Sequence, residues 1–309
     1  MQRCRKESRV SRRTFLAQAL QTSAGVTSAG ILGHAAFLAP AQGGRPAAKT
    51  RFGLTSYQWG KDWDIPGMIA NCRKAQVFGV ELRTSQNYAH GVELETGETR
   101  RREVKKQFAD SPVVLVGIAS GERYDSPDPE RIRLAIENSK GYVKLSHDVG
   151  ASGVRVFVND FHKEIPREKT IDQVAGALNA VGAFAADFGQ QVRLEAHGSA
   201  GDLKSIRAIM DRVTQRSVRV KLNSDRRDAE GDGFKANFDL VKGLLGDTLH
   251  LHELDAPGFP YQLQMDLLVR MGWGGWQLLE ASAKVPDRLE ALTAQREIWE
   301  RMLARSMQA

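Results

Sequence analysis

Side chains capable of proton transfer or metal binding close four apolar runs in the second half of the chain. Glu195 follows Val192-Arg193-Leu194, and Asn223 and Asp225 follow the run 218–222. His252 ends Leu249-His250-Leu251-His252, and Glu280 ends Trp276-Gln277-Leu278-Leu279-Glu280. Carboxylate oxygens with one imidazole suit a divalent metal such as Mn, Mg or Zn. Any one of these residues alone reads as a hydrogen-bonded core group, because buried polar atoms nearly always find partners. Their recurrence at successive run ends makes a shared site the sharper reading.

Alternation within the runs says which way these residues point. Arg193, Glu195 and His197 share one face opposite Val192, Leu194 and Ala196. Lys221, Asn223 and Asp225 oppose Val218, Val220 and Leu222, and His250 and His252 oppose Leu249 and Leu251. A parallel sheet covered by helices needs its outer face apolar, so the polar members face inward. Those nearest the strand C-termini reach the end where barrel active sites sit.

The elements that would carry them are eight short apolar runs, at residues 51–57, 79–83, 113–119, 153–158, 191–195, 218–223, 248–252 and 275–280. Helical patterns separate them. Ile65, Met68, Ile69 and Cys72 recur at helical spacing after Asp64, and Asp128-Pro129-Glu130 sets a cap before a first-turn proline. Further helices are expected over 170–188, 203–213, 237–244 and 261–271, and from about residue 287. The uninterrupted alternation predicts a single (β/α)8 TIM barrel over residues 51–309, without a second domain.

The N-terminal segment has a different composition. Ser11-Arg12-Arg13-Thr14-Phe15-Leu16 heads a weakly apolar stretch ending in Ala39-Pro40-Ala41. Basic region, apolar region and small-residue cleavage site in that order are a secretory leader, and the arginine pair points to the Tat route. The expected domains are therefore a leader over 1–41, a flexible tether over 42–50 and the barrel, with a periplasmic or other extracytoplasmic destination. Polar residues interrupt the apolar stretch, so it falls short of the ~20 apolar residues a membrane span needs. Five of the chain's seven net positive charges lie in residues 1–41, leaving +2 on the remainder, which argues against a nucleic-acid partner. Cleavage also removes Cys4, leaving Cys72 without a disulfide partner.

Several motifs carry a family likeness. Gly79-Val80-Glu81-Leu82-Arg83, Leu194-Glu195-Ala196-His197-Gly198, Leu249-His250-Leu251-His252-Glu253-Leu254 and Gly275-Trp276-Gln277-Leu278-Leu279-Glu280 resemble the xylose isomerase-like barrels known as sugar phosphate isomerases/epimerases. The stretch from His90-Gly91-Val92-Glu93 to Ser126-Pro127-Asp128-Pro129 is similar to a leader-bearing branch of that family. The resemblance implies one divalent metal on Glu195, His252 and Glu280, with a strand-six ligand that this chain supplies as Asn223 or, from the loop, Asp225. Asn is a neutral and poorer ligand than the family's Asp. It also implies proton transfer beside a sugar carbonyl by Glu195 and Glu280, with His197, Arg83, Glu81 and His90 contacting the sugar; a structural hydrogen bond for His197 and a rim salt bridge for Arg83 are the alternatives. Glu81 has an alternative structural role, pairing with Arg155 across the barrel floor.

The expected ligand is a small carbohydrate. Export favours an unphosphorylated sugar, because phosphorylated sugars are mainly cytoplasmic. A metal-dependent lyase or hydrolase of oxidised sugars or glycosides, and a non-catalytic carbohydrate-binding barrel, are the competing readings. Trp59, Trp63, Trp273 and Trp276 read as packing rather than a sugar platform.

Overall fold

Branched and aliphatic residues at alternate positions make each of the eight runs a strand, and capped amphipathic segments between them make the helices. The chain order is β1 (Arg51–Thr55), α1 (Ile65–Lys74), β2 (Gly79–Arg83), α2 (Glu98–Ala109), β3 (Val114–Arg123), α3 (Pro129–Val149), β4 (Gly153–Val158) and α4 (Arg167–Asp187). It continues β5 (Gln191–Ala196), α5 (Leu203–Met210), β6 (Val218–Lys221), α6 (Phe234–Val241), β7 (Thr248–Leu251), α7 (Tyr261–Arg270), β8 (Trp276–Leu279) and α8 (Arg288–Gln308). This computed structural model describes residues 48–308. The leader expected over 1–41 lies outside the described residues, as does the tether apart from residues 48–50. Thr50, assigned to that tether, is buried and its hydroxyl accepts a hydrogen bond from Gln277.

All the strand pairs are parallel, and the neighbours run β6-β5-β4-β3-β2-β1-β8-β7. The β6–β7 seam is thinner. It is held by a Val220–Leu245 bridge and by the Gly246 and His250 N–H groups donating to the Val220 and Leu222 carbonyls. The result is a nearly closed (β/α)8 barrel. Asp64, Asp128 and Asp202 cap α1, α3 and α5 by accepting from backbone N–H groups, as their positions before the apolar periodicity predict. Helix α4 starts at Arg167 rather than 170, and α6 at Phe234 rather than 237. Among the described residues no helix is long and apolar enough to cross a membrane.

The apolar core lies between strands and helices, where Leu54, Val80, Val154, Leu194 and Val220 are fully buried. Inside the barrel the floor is apolar, with Val116, Trp276 and Leu278 forming a separate cluster. Gly79 makes room for it: a Cβ there would lie 2.3 Å from the Trp276 ring. Above this floor the interior is mostly polar and charged, with Phe157 of β4 the aromatic exception in the layer of Glu195.

Candidate active site

The strand registers stack charged residues in layers. Glu195 of β5 lies level with Phe157 of β4 and Lys221 of β6, while Arg155 lies level with Arg193. Glu81, Arg155, Arg193, Glu195, Lys221 and His250 are each no more than 3% exposed. Arg193 is held near the floor by the Val116 carbonyl (3.0 Å) and the Ser152 hydroxyl (2.7 Å).

His250 is the hub of the next layer. Its Nδ1 lies 2.5 Å from Glu195 Oε1 and 3.3 Å from Glu280 Oε2, and its Nε2 lies 2.6 Å from Glu81 Oε2. With an acceptor at each nitrogen, the ring is an imidazolium. Burial and the charge of Lys221 push its pKa down, yet Glu280, Glu195 and Glu81 together raise it to about 10. Lys221 Nζ donates to Glu81 Oε1 at 2.6 Å, and the Thr55 hydroxyl donates to Glu81 Oε2 at 3.1 Å. Burial alone would raise Glu81, but Lys221 and His250 outweigh it and hold the carboxyl well below the ordinary range. Burial is likewise outweighed at Glu195 by Arg155, 3.3 Å away, and His250, and at Glu280 chiefly by His250. Arg83 donates to Glu280 Oε1 at 2.7 Å while its guanidinium lies over the Tyr57 ring.

The sequence-predicted residues divide accordingly. Glu195, Glu280, Glu81 and Arg83 converge. The imidazole that meets the two glutamates belongs to His250, not His252. The β7 ladder ends at Leu251, and His252 stands in the following loop, its N–H donating to the Tyr261 hydroxyl. There it lines a cleft of about 370 Å³ with Ser224, Asp225 and Arg226. Asp225 is held by Arg227 at 2.5 Å and caps a turn of 3-10 helix. Asn223 is buried, and its Oδ1 has no hydrogen-bond partner. His90 is fully buried, with Nε2 donating to the Arg83 carbonyl and Nδ1 accepting from the Val92 N–H, so both nitrogens organise the β2–α2 loop. His197 Nδ1 bonds Asn159 Oδ1 at 2.8 Å, and burial above all pushes the pKa of the ring down. The expected Glu81–Arg155 pair is not formed: Lys221 and His250 take Glu81, and Arg155 turns to Glu195.

Sequence reasoning placed His250 and Lys221 on the inward face without giving them a role. Inward alternation next to Glu195 was the available signal. Glu195, His250 and Glu280 each offer a ligand atom, all within 4.8 Å of one another, so the group could hold one metal ion. The donor chemistry fits, because Glu81 accepts from Nε2 and leaves Nδ1 facing the other two carboxylates. A carboxylate orienting a ligating imidazole is the usual outer-shell arrangement. Ligation requires Nδ1 to release the proton it shares with Glu195.

The β6–α6 loop beside the site holds a buried carboxylate, Asp228, neither oxygen of which meets a hydrogen-bond donor. Burial, reinforced by Asp225, raises its pKa from 3.8 to about 7. A raised folded-state pKa contributes stability that is complete below pH 3.8 and is lost as pH rises through about 7. Asp228→Asn is therefore expected to stabilise the protein at pH 8, by up to roughly 4 kcal/mol. At pH 4 it should change little. Urea denaturation at the two pH values checks this, and equal effects at both would refute the assignment.

A family profile for the xylose isomerase-like TIM barrel matches residues 69–302, and the chain belongs to that family. Among solved structures it is similar to 3-keto-D-glucoside 4-epimerase from E. coli, at 15% identity and TM-score 0.68, covering 82% of this chain and 99% of that one. It is also similar to an L-ribulose 3-epimerase (16%, TM-score 0.69, 84% and 96% covered). A third is D-psicose 3-epimerase, solved with D-tagatose, from Clostridium cellulolyticum H10 (15%, TM-score 0.69, 82% and 99% covered). A search of curated protein sequences gives no match.

Proposed function

We propose that this protein is a sugar isomerase or epimerase that moves a proton next to a sugar carbonyl. The observation that carries the reading is the convergence of Glu195, Glu280 and His250 at the C-terminal end of the strands. Both glutamates are held in the ionised form, so either can accept a proton from the carbon beside the carbonyl. The proton goes back from that glutamate in its protonated form, or from the other after it has taken a proton from His250 or solvent, which inverts or relocates the centre according to where it is delivered. His250 Nδ1 shares a proton with Glu195 Oε1 and keeps that oxygen oriented. Arg83 fixes Glu280 from the other side. A divalent cation held by Glu195, His250 and Glu280 would supply a Lewis acid for the oxygen that gains charge. The twin-arginine sequence of residues 11–16 and the apolar stretch after it support export by the Tat route, which favours an unphosphorylated sugar as substrate. A non-catalytic sugar-binding barrel is favoured by one feature: Glu81, Glu195 and Glu280 each already face a cation.

The deciding experiment incubates the full-length protein with a panel of ketoses and aldoses in deuterium oxide. A sugar product of unchanged composition carrying one deuterium is expected, with the rate falling on chelation and returning with Mn, Mg or Zn. Elimination products would move the assignment to a lyase. Folded, metal-supplemented protein that exchanges no deuterium into any sugar would leave the binding barrel.

A further inference from the structure

We infer that the sugar bound here carries an anionic group, seated in a cleft beside the reaction centre by Lys61 and Lys284. This rests on the proton-transfer reading of the same site. The cleft, about 480 Å³, opens between the β1–α1 and β8–α8 loops, and no acidic residue lines it. Arg288 is neutralised by Asp62 at 2.7 Å. The ammonium groups of Lys61 and Lys284 have no hydrogen-bond or ion-pair partner among the described residues. Two unpaired cations on one cleft leave a local positive charge that a neutral sugar would not use.

The cleft is a built feature rather than an accident of two mobile side chains. Trp59, 3% exposed, donates its indole N–H to the Ala283 carbonyl at 2.8 Å and pins the two loops together. The N–H groups of Ser282 and Ala283 both donate to Glu253 Oε1 at 2.7 Å, which fixes the strand of loop that carries Lys284. The cleft also adjoins the chemistry. Tyr57 lines it, and the Tyr57 ring carries the Arg83 guanidinium that holds Glu280. A sugar with its carbonyl at Glu280 can therefore extend an acidic substituent toward the lysines. A carboxylate, as in a sugar acid, and a phosphate ester present the same chemistry to this subsite.

Calorimetric titration of the full-length protein with glucose, glucuronate and glucose 6-phosphate tests the inference and separates the two sources. At low salt the better anionic probe should bind about 10- to 100-fold tighter than glucose, with the advantage shrinking as salt is added. Preference for glucuronate identifies a carboxylate, and preference for glucose 6-phosphate a phosphate. The doubly substituted Lys61→Gln/Lys284→Gln protein should bind the anionic probe no better than glucose, and Lys61→Arg/Lys284→Arg should restore the difference. Equal binding of all three probes, including no measurable binding of any, overturns the inference, as does a preference that survives the Gln pair. Deuterium exchange keeps the two failures apart. An intact anion preference without exchange into any sugar would remove the proton-transfer reading alone, while exchange into neutral sugars without a preference would remove only the subsite.

Discussion

Glu195→Gln is expected to lower the rate of proton exchange into the sugar by about 10²- to 10⁴-fold, the usual contribution of a positioned general base. The substitution keeps the shape of the side chain but removes its negative charge, and with it the ability to accept a proton and the ion pairs to Arg155 and His250. Glu195 is 1% exposed and sits with His250 on Oε1 and Arg155 on Oε2. Glu280→Gln should produce a loss of similar size, because removal of the proton needs an ionised carboxylate and its return needs the protonated acid, and an amide serves as neither. The effect belongs in kcat, with KM changed much less, since neither exchange removes a group that only binds the sugar. Steady-state kinetics on the sugar that exchanges deuterium, with a thermal melt to confirm folding, provide the check. A Glu195→Gln enzyme within tenfold of the parent rate would end this assignment.

The second large effect is on stability. Lys221→Met should destabilise the barrel by about 3–5 kcal/mol, the range found when one partner of a buried ion pair is removed. Lys221 and Glu81 are both fully buried, 2.6 Å apart, and Thr248 is the other ammonium partner, at 3.3 Å. Met fills much of the same volume, so the loss arises from a buried Glu81 oxygen that has lost its ammonium, with only His250 and Thr55 left on the carboxylate, rather than from a cavity. Lys221→Met/Glu81→Gln should regain part of it, because the buried charge is then gone. Chemical denaturation of the two single variants and the double variant gives the coupling directly, and a loss below about 1 kcal/mol for Lys221→Met would contradict it. The sign of the pH dependence follows from the same network. Glu81, Glu195 and Glu280 are all held below their ordinary values, so they contribute stability that is present above the unfolded carboxylate range and is lost as pH falls.

The strands were readable because a barrel covered by helices demands short apolar runs on the outer face. The expected ends overshot at β1, β6, β7 and β8. There the chain leaves the ladder before the apolar pattern stops, which is where Asn223, His252 and Glu280 stand. Glu195 and Glu280 were readable as candidate site residues because polar groups recur at the ends of successive apolar runs, whereas either alone reads as a hydrogen-bonded core group. His250 and His252 were not separable by the same logic: alternation puts both on the inward face and says nothing of depth. The pairings of Glu81 were beyond reach, since Lys221 and His250 lie 140 and 169 residues away along the chain.

Periodicity in the sequence by itself determined a (β/α)8 barrel and a polar interior with carboxylates at the strand ends, because inward and outward faces impose opposite demands on neighbouring residues. Only the tertiary structure decided that His250 joins Glu195 and Glu280 and that Glu81 belongs to Lys221. Those choices depend on strand register and tilt around a closed barrel, which set distances between residues on different strands and leave no mark on any one of them.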